Sequence, residues 1–414
     1  MESVKAVRGM RDLLPEELER WQSFEEKARQ LLARYGYQEI RTPVVEEKGL
    51  FERSVGEQTD IVTKEMYTFL DRKGRKLALR PEGTASVVRA YLEANYFQKR
   101  KISRFWYLGP MFRYDRPQKG RYRQFYQLGV EVFGGQDPFF DVEVMALMFY
   151  LVNSSGVTDL TIHLNHLGCA QCQHNYLGVL QKFVRPRAGF LCCDCQRRLA
   201  SNTLRIFDCK NERCAEVLEE APLPGNYLCQ VCQDRYEKVH TGLKALGLSV
   251  FEDKRLVRGL DYYTGTVFEA MTGRETNAVA AGGRYDTLTM ALGGPAIPAV
   301  GFAIGLDRLM ALCSETSSKL PVIRAIFLGE EARKRGFLLL EELRREGLRV
   351  ETDYEERPLK NHLQTASREK VVWCLILGEN ELNREQFVIK NMETRRQYEI
   401  SFNGAGQKVK ELVC

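Results

Sequence analysis

Residues 104–133 carry a concentration of basic side chains in a short loop between two strand-like runs. The first run, residues 105–113, is aromatic and apolar, and the second, residues 123–133, alternates between apolar and polar positions. One acid, Asp115, stands among five basic residues of the loop and its flanks, which are Arg113, Arg116, Lys119, Arg121 and Arg123. Cations packed this closely suit the phosphate groups of a nucleotide or of a nucleic-acid end.

One face of the second run carries polar groups that a strand can present to a ligand. Because side chains alternate along a strand, one face receives Leu128, Val130 and Val132. The opposite face receives Arg123, Gln127 and Glu131. A solvated basic hairpin is the commoner fate of such a loop, but it does not require an acid and an amide beside the arginines. The pattern predicts a half-buried antiparallel sheet with a working surface.

Cysteines concentrate in residues 169–232, which contain nine of the twelve in the chain. Three C-x-x-C pairs occur there, and thiolate pairs at this spacing chelate Zn²⁺ tetrahedrally. A redox role would need a pair beside a thioredoxin-like βαβ pattern, which this segment lacks. The eight candidate ligands are Cys169, Cys172, Cys192, Cys195, Cys209, Cys214, Cys229 and Cys232.

The spacing does not decide which cysteines share a metal ion. One partition groups Cys169, Cys172, Cys192 and Cys195 in one site, and Cys209, Cys214, Cys229 and Cys232 in a second. A single site built from two of the pairs is also open, and His174 and His240 are alternative ligands. A site closed by four thiolates has no free position for a substrate, so the predicted zinc would be structural.

Periodicity and turn residues predict the elements that position these side chains. Residues 15–35 predict a helix, and residues 66–84 predict a hairpin that ends in RPEGT. Within that turn, the sequence alone favours Thr84 as the cap of the next helix, with Glu82 close by. Arg308 begins a helix after a strand of small and apolar residues. The helix dipole disfavours a cation there, which suggests a task for this arginine.

Composition limits the classes of protein to consider. A chain of 414 residues with 44% hydrophobic content allows two or three domains, and a net charge of +6 permits a nucleic-acid partner without requiring one. The longest apolar stretch, residues 142–152, contains Glu143 and is too short to span a bilayer, and the first residues have no apolar signal core. We therefore expect a cytoplasmic protein without a membrane partner, whose cysteines are thiols or metal ligands.

Several blocks of the sequence resemble signature motifs of one enzyme family. Residues 112–134, FRYDRPQKGRYRQFYQLGVEVFG, are similar to the second signature motif of class II aminoacyl-tRNA synthetases in its histidyl-tRNA synthetase form. LVRGLDYYTG (256–265) resembles the histidine-specific motif, and LRPEGT (79–84) resembles the loop for the α-amino group of histidine. Residues 300–309 resemble motif 3. The N-terminal helix and the strand with Pro43 resemble motif 1, which carries the dimer interface in that family.

The resemblance covers nearly the whole chain and implies an α+β fold. Its parts would be a class II synthetase-like antiparallel sheet flanked by helices, a helical cysteine-rich insertion, and a C-terminal α/β anticodon-binding domain. Strands and helices that alternate from residue 320 onward independently favour a small α/β domain with a parallel core. The implied ranges are the two parts of the catalytic domain (1–166 and 246–319), the insertion (167–245) and the anticodon-binding domain (320–414).

The same resemblance implies a reaction and a site. The chain would activate L-histidine with ATP and Mg²⁺ to histidyl-adenylate and pyrophosphate, and then transfer histidine to the 3′ end of tRNA(His), as a homodimer. Arg258 and Arg113 would be the catalytic residues, and ATP would contact Arg113, Arg121 and Arg308. The histidine substrate would contact Glu82, Gly83, Thr84, Gln127, Glu131, Arg258, Tyr262 and Tyr263.

Two other functions compete with this interpretation. A synthetase-like regulatory subunit of histidine biosynthesis would share the fold without ligase activity. Such proteins usually lack the C-terminal domain and degrade the LVRGLDYYTG stretch, and both are intact here. A zinc-ribbon RNA-binding module would explain the cysteines and the basic loop, but it leaves the spacing of Glu82, Gln127, Glu131 and Arg258 unused.

Overall fold

The computed structural model describes residues 4–118, 120–273, 278–313 and 321–413. The chain divides into two compact units, Met1–Thr316 and Ser317–Cys414. The predicted boundary at residue 320 and Lys119 of the basic loop lie outside the described residues. The four domain ranges therefore remain predictions. None of the helices in these ranges combines the length and the apolar composition that a membrane crossing requires.

Short strands and helices alternate irregularly through the first unit. Its strands are β1 (Gln38–Glu39), β2 (Val45–Glu47), β3 (Thr68–Leu70), β4 (Lys76–Leu79), β5 (Ser103–Phe112), β6 (Gln124–Phe133), β7 (Leu160–His166), β8 (Val250–Glu252), β9 (Thr264–Thr272), β10 (Ala280–Arg284) and β11 (Ala299–Gly305). Its helices are α1 (Pro15–Arg34), α2 (Lys48–Val55), α3 (Thr84–Glu93), α4 (Tyr96–Lys99), α5 (Pro138–Asn153), α6 (Ala170–Val184), α7 (Cys193–Ser201), α8 (Glu212–Val217), α9 (Gln230–Ala245), α10 (Leu288–Ala291) and α11 (Leu306–Leu312).

A central eight-stranded sheet organises this unit, in the order β1-β5-β6-β11-β10-β9-β7-β8. Neighbouring strands from β5 to β7 pair antiparallel, whereas β1 and β8 join the two edges in parallel. A smaller sheet, β2-β4-β3, contains the predicted hairpin. The predicted antiparallel sheet flanked by helices is confirmed.

The alternation in β6 decides which face of the sheet is core. Leu128, Val130 and Val132 are fully buried in an apolar cluster shared with α1 and α5, as the sequence predicted. The helix α1 contributes Trp21 and Phe24 among others, which follows its helical spacing of apolar residues. The opposite face of β6 is left for the polar side chains.

The cysteine-rich insertion lies between β7 and β8 and is helical, as expected. It runs through α6, α7, α8 and α9 with short 3₁₀ turns between them. Its own apolar cluster is small and is centred on Tyr176, Leu180 and Ile206. The last helix, α9, packs against α5, which itself contacts the central sheet.

The second unit has the predicted α/β character. It contains β12 (Ile323–Phe327), α12 (Glu330–Arg345), β13 (Val350–Glu351), α13 (Leu359–Arg368), β14 (Trp373–Leu377), α14 (Glu379–Asn383), β15 (Gln386–Asn391), β16 (Gln397–Ser401) and α15 (Ala405–Val413). The strand β12 pairs in parallel with β13 and β14, and β15 and β16 form an antiparallel hairpin. The parallel core was predicted from the sequence.

Candidate active site

A cavity of about 910 Å³ lies over the polar face of the central sheet. Its wall includes most of the predicted site residues, which are Glu82, Thr84, Arg113, Arg121, Gln127, Arg258, Tyr262, Tyr263 and Arg308. Two predicted residues, Gly83 and Glu131, are buried behind this wall. The fold thus brings residues from four separate stretches of sequence to one cavity.

The turn before α3 is organised by Glu82. The Glu82 carboxylate accepts hydrogen bonds from the backbone N–H groups of Thr84 (2.7 Å) and Ala85 (2.9 Å) at the start of the helix. Glu82, and not Thr84, therefore caps α3, and the sequence-based assignment of the cap was wrong. The reason is that Thr84 is already the first helical residue, so its hydroxyl group points away from the helix start.

Glu131 joins three elements beneath the cavity. The Thr84 hydroxyl group donates to its Oε1 atom at 2.7 Å, and the Tyr285 hydroxyl group donates to Oε2. Tyr285 and Thr84 both border the cavity, whereas Glu131 is fully buried. Because both hydroxyl groups donate toward Glu131, their oxygen lone pairs remain to accept hydrogen from a ligand.

Burial changes the protonation of this acid pair. Desolvation raises the pKa of Glu131 to about 8, against the opposing effect of the hydrogen bonds from Tyr285 and Thr84. Desolvation also raises the pKa of Glu82, against the effect of the backbone N–H groups of Ala85 and Thr84. A cationic ligand group in the cavity would favour the ionised forms of both acids.

Tyr107 of β5 fits between two glycines. A Cβ atom at Gly83 would lie 2.2 Å from its ring, and one at Gly129 would lie 2.1 Å from it. A side chain at either position would therefore displace the ring from the cavity wall. This contact explains why Gly83 belongs to the site although it does not border the cavity.

Three buried polar atoms in the cavity wall have no hydrogen-bond partner in the described part of the chain. They are Oε1 of Gln127, Nε of Arg258 and the hydroxyl group of Tyr107. An unpaired buried polar group is costly, so such groups usually mark a site that a ligand or water completes. Acceptor and donor atoms both occur in this set, which suits a ligand that carries both kinds of group.

The arginines of the basic loop have different surroundings. The Nε atom of Arg113 donates to the Pro81 carbonyl oxygen at 2.9 Å, and its guanidinium lies over the Phe125 ring. Burial lowers the pKa of Arg113, while the charges of Glu65 and Glu82 oppose this change. Arg121 is more exposed and pairs with Asp115 at 2.7 Å.

Arg123 does not belong to the working face, although the alternation placed it there. Its Nε atom donates to the Asp115 carbonyl oxygen and its Nη1 atom to the Arg8 carbonyl oxygen. Its backbone N–H donates to Gly9. β6 begins only at Gln124, so the strand parity does not extend to Arg123. This residue holds the N-terminal segment against the loop.

Two further arginines border the cavity from other elements. Arg258 forms an ion pair with Glu269 and lies 5.6 Å from the centre of the Tyr263 ring. Arg308 lies in the first turn of α11, where its Nη1 atom donates to the Ala278 carbonyl oxygen. The residue before it in the same turn, Asp307, is a buried acid.

Asp307 connects the start of α11 to two other parts of the cavity surroundings. It accepts the backbone N–H of Tyr126 at 2.8 Å and the Arg11 guanidinium at 3.0 Å. Arg11 also lies over the Tyr122 ring of the basic loop. The start of α11 and the basic loop thus contact the same N-terminal residue, Arg11.

Sequence reasoning missed four residues that shape this site, namely Tyr107, Glu269, Tyr285 and Asp307. Tyr285 follows shortly after Gly282 and Gly283 of β10, two glycines whose missing Cβ atoms would suit the close approach of a ligand. A Cβ atom at Gly283 would instead meet the Thr266 carbonyl oxygen at 2.6 Å, so these glycines serve strand packing. A search for polar aromatic residues at the ends of the predicted strands would have found Tyr285.

The cysteines form two separate groups of four. One contains Cys169, Cys172, Cys229 and Cys232, and the other contains Cys192, Cys195, Cys209 and Cys214. We call the first the outer cluster and the second the inner cluster. The partition weighed from the sequence was wrong, because the chain folds the two ends of the insertion together and encloses its middle. Cys193 is outside both clusters, and so are His174 and His240.

The geometry of both clusters fits a tetrahedral metal ion. Four sulfur atoms at about 2.3 Å from Zn²⁺ would lie about 3.8 Å apart. The Sγ atoms of Cys192 and Cys209 lie 3.8 Å apart, and those of Cys169 and Cys172 lie 3.6 Å apart. Each C-x-x-C pair begins at the cap of a helix, where backbone N–H groups favour thiolates.

Backbone N–H groups also reach the buried sulfur atoms. The N–H of Cys229 donates to Sγ of Cys172 at 3.1 Å, and the N–H of Cys192 donates to Sγ of Cys214 at 3.2 Å. Each bond joins one part of a cluster to a distant part of the chain. The cysteine sulfur atoms of each cluster are therefore already positioned to bind a metal ion.

Taken together, the cavity presents two chemically different ends. Hydroxyl and carboxylate groups around Thr84, Tyr285 and Glu82 accept hydrogen bonds from a cationic group. Guanidinium groups of Arg113, Arg258 and Arg308 stabilise negative charge, such as that of a polyphosphate. The arrangement suits a small zwitterionic ligand placed beside a nucleotide.

Comparisons with known proteins agree along the whole chain. The family model described as histidyl-tRNA synthetase matches residues 9–309, and the model of an anticodon binding domain matches residues 324–412. The histidine–tRNA ligase of Desulfatibacillum aliphaticivorans is 46% identical over 416 residues, which cover 99% of each chain. That of Thermodesulfovibrio yellowstonii is 45% identical over 96% of each chain. The crystal structure of the apo histidyl-tRNA synthetase of S. aureus has a TM-score of 0.83 at 33% identity, and covers 99% of this chain and 100% of its own.

The raised pKa of Glu131 predicts a pH-dependent stability that Glu131→Gln removes. Between the ordinary pKa of a glutamate and about 8, the folded state holds a proton that the unfolded state has lost, so stability falls as pH rises. Relative to E131Q, the wild-type free energy of unfolding should fall by about 1.4 kcal/mol per pH unit in this range. Urea denaturation from pH 5 to pH 9 measures the difference.

The control for this experiment is Glu93→Gln, which changes an exposed glutamate of α3. Its stability should follow the wild-type curve at every pH. If the free energies of unfolding of the wild type and E131Q changed with pH in parallel, Glu131 would be ionised in the folded protein. That result would contradict the prediction.

Proposed function

This chain belongs to the histidyl-tRNA synthetase family, and we propose that it is a histidine–tRNA ligase whose cavity over the central sheet is the site of both reaction steps. The proposal rests on one observation: a single cavity has hydrogen-bond acceptors at one end and arginines at the other. The first end suits the ammonium group of an amino acid, and the second suits the phosphates of ATP. Both ends come from stretches that match the family.

In the first step, an oxygen of the histidine carboxylate attacks the α-phosphorus of ATP. The bond from that phosphorus to the bridging oxygen breaks, and histidyl-adenylate and pyrophosphate form. Such a transfer depends on positioning and charge neutralisation more than on covalent help from the protein. We assign Arg113 and Arg258 to the α-phosphate, and Arg308 with Arg121 to the outer phosphates.

Recognition of histidine rests on the acceptor end. Glu82, Thr84 and Gln127 would receive the ammonium group, and the unpaired Oε1 of Gln127 has no other partner among the described residues. Tyr262 and Tyr263 would line the imidazole pocket. Glu131 would act on the imidazole through the hydroxyl groups of Thr84 and Tyr285, since it is buried behind them. A site that requires hydrogen bonds rejects amino acids that cannot supply them.

In the second step, a hydroxyl group of the 3′-terminal ribose of tRNA attacks the histidyl carbonyl carbon and releases AMP. The second unit, which matches an anticodon binding domain, would hold the other end of the tRNA. We keep residues 167–245 as the insertion domain and residues 320–414 as the anticodon-binding domain.

A regulatory subunit without ligase activity is the alternative function. The intact histidine-specific stretch, the C-terminal unit and full-length relatives named as ligases all favour the enzyme. The alternative is therefore kept only as an outcome of the experiment below.

Mg²⁺ would enter with ATP. Among the described residues, the groups arranged to hold a metal ion are the two cysteine clusters, and neither is made of carboxylates. The cavity acids already have protein partners, as Asp307 has in Arg11 and Glu269 in Arg258. Mg²⁺ usually keeps several waters and binds through substrate phosphates, which fits such a site.

Zn²⁺ would occupy both cysteine clusters. Each offers four thiolates at the spacing of a closed structural site, so the metal would stabilise the insertion and would not react. Free thiols of this kind also require a reducing compartment, and we propose the cytoplasm.

We further propose a homodimer. Val45, Phe69 and Leu70 of the small sheet, and Leu14 at the start of α1, are exposed apolar side chains. These residues lie on or beside the elements that resemble motif 1. A second copy of the chain would cover them.

The function predicts ATP–pyrophosphate exchange with a single amino acid. In the absence of tRNA, exchange should occur with histidine and should stay at background with each other amino acid, because only an imidazole would satisfy the hydrogen bonds proposed around Thr84 and Tyr285. Folding is checked by circular dichroism and metal content in the same sample. Absence of exchange with every amino acid in folded, zinc-loaded protein would favour the regulatory subunit.

Arg258→Ala should lower the exchange rate by about 10³-fold, because it removes a preorganised cation from the α-phosphate. The fold should persist, since Glu269 is left only partly buried. The matched control is Arg255→Ala, which removes an exposed arginine three positions earlier and should exchange near the wild-type rate. Single-turnover rates near normal in R258A would exclude the assigned role.

The protein should bind two zinc ions per chain. Plasma mass spectrometry on protein purified without chelators gives the ratio. Removal of zinc should expose residues 185–211 to protease, because these residues have little apolar core of their own. Zinc-free protein whose insertion resists protease equally well would contradict a structural metal.

A further inference from the structure

The two cysteine clusters occupy different places relative to the cavity. The outer cluster sits where the insertion leaves and rejoins the sheet, since Cys169 follows β7 and Cys229 precedes α9. None of its four residues borders the cavity within the described part of the chain. In the inner cluster, by contrast, Cys192 and Cys209 form part of the cavity wall.

The chain around the inner cluster continues this wall. Asp208, Lys210 and Asn211 border the cavity, together with Asp194 and Arg198 of α7. Residues 209–211 have no regular structure, because the 3₁₀ turn before them ends at Asp208 and α8 begins at Glu212. We call residues 208–211 the wall loop.

The inner cluster is built directly into the wall loop. The backbone N–H of Asn211 donates to Sγ of Cys209 at 3.5 Å, and the Asn211 side chain accepts the N–H of Arg213 at 3.1 Å. Cys209 precedes Lys210 directly, and its sulfur atom meets that of Cys192 across the cluster. A metal ion at the inner cluster would therefore hold the backbone at Cys209, directly before Lys210.

The insertion is also docked on the rim of the cavity by charged groups. Arg198 and Arg205 reach Asp60 at 3.2 and 3.5 Å, and the Asn202 amide donates to Asp261 at 2.6 Å. Asp261 is the residue before Tyr262 of the proposed histidine pocket. The segment that carries the inner cluster is thus joined to the residue next to Tyr262, which borders the cavity.

We propose that the inner four-cysteine cluster is a zinc-dependent part of the active site, which holds the wall loop so that Lys210 meets a phosphate group of a substrate. The phosphate belongs either to ATP or to the 3′ end of tRNA, and Lys210 supplies a point charge to it. The outer cluster only fastens the root of the insertion. This proposal rests on the proposed function, since both substrates are those of the ligase.

Two matched variants separate the clusters. Cys214→Ser removes a buried ligand of the inner cluster that does not border the cavity, and Cys232→Ser removes a buried ligand of the outer cluster. Each should lower the zinc content by about one ion per chain. C214S should raise KM for ATP in exchange or KM for tRNA in charging by about tenfold. C232S should keep both near the wild-type values.

Equal values of KM in C214S and C232S, whether raised or unchanged, would overturn the proposal. A wild-type protein that fails to exchange with histidine would instead defeat the proposed function, so the two failures are distinguishable. The wild type therefore accompanies both variants in every assay.

A second pair of variants keeps the test valid if C214S does not fold. Lys210→Gln changes the wall loop without touching a sulfur atom, and the control Lys238→Gln changes an exposed lysine of α9 away from the cavity. K210Q should keep its full zinc content. An increased KM for ATP would assign Lys210 to the nucleotide, and an increased KM for tRNA alone would assign it to the RNA. Values equal to those of K238Q for both substrates would overturn the proposal.

Discussion

The buried carboxyl group of Glu131 is the interaction on which the site depends. It lies in a strand at the middle of the central sheet and receives hydroxyl groups from the start of α3 and from the residue after β10. Gly301 on the neighbouring strand must lack a side chain, because a Cβ atom there would lie 2.1 Å from Oε2 of Glu131. A desolvated acid is costly unless hydrogen bonds satisfy it, so the three elements can pack only in the arrangement that supplies both donors.

At the cationic end of the cavity, different interactions position the side chains. Its arginines are fixed by carbonyl oxygens and acids that leave part of each guanidinium directed to the cavity, as Pro81 does for Arg113 and Glu269 for Arg258. Because the groups are held before a substrate arrives, little reorganisation is needed when negative charge develops. Arg11 extends this support to the helix start at Asp307, so the N-terminal segment is part of the scaffold of the site.

The fold class was predicted from the sequence, and most of the predicted site residues do lie in the cavity wall. The exceptions have physical causes. The alternation of β6 placed Gln127 correctly because a buried face imposes a strict period of two. Arg123 was misplaced because the strand begins one residue later. Tyr285 and Glu269 were missed because their partners are distant in sequence, and nothing local to either residue shows what it will meet. The roles drawn from the family motifs remain proposals about this chain.

The grouping of the cysteines into two clusters is a second case in which contacts between distant residues could not be predicted from local sequence. Ligand type and the C-x-x-C spacing are local properties, since each pair occupies the first turn of a helix. Which cysteine pairs share a metal site is not a local property of the sequence, because it depends on whether the insertion folds back on itself. The insertion does so: its ends meet in the outer cluster and its middle closes in the inner one. A metal ion in each cluster would crosslink a segment whose apolar core is small, and the nested order leaves the inner cluster nearest the cavity. With zinc bound as we propose, the sulfur atoms that stabilise the middle of the insertion would also shape the cavity wall.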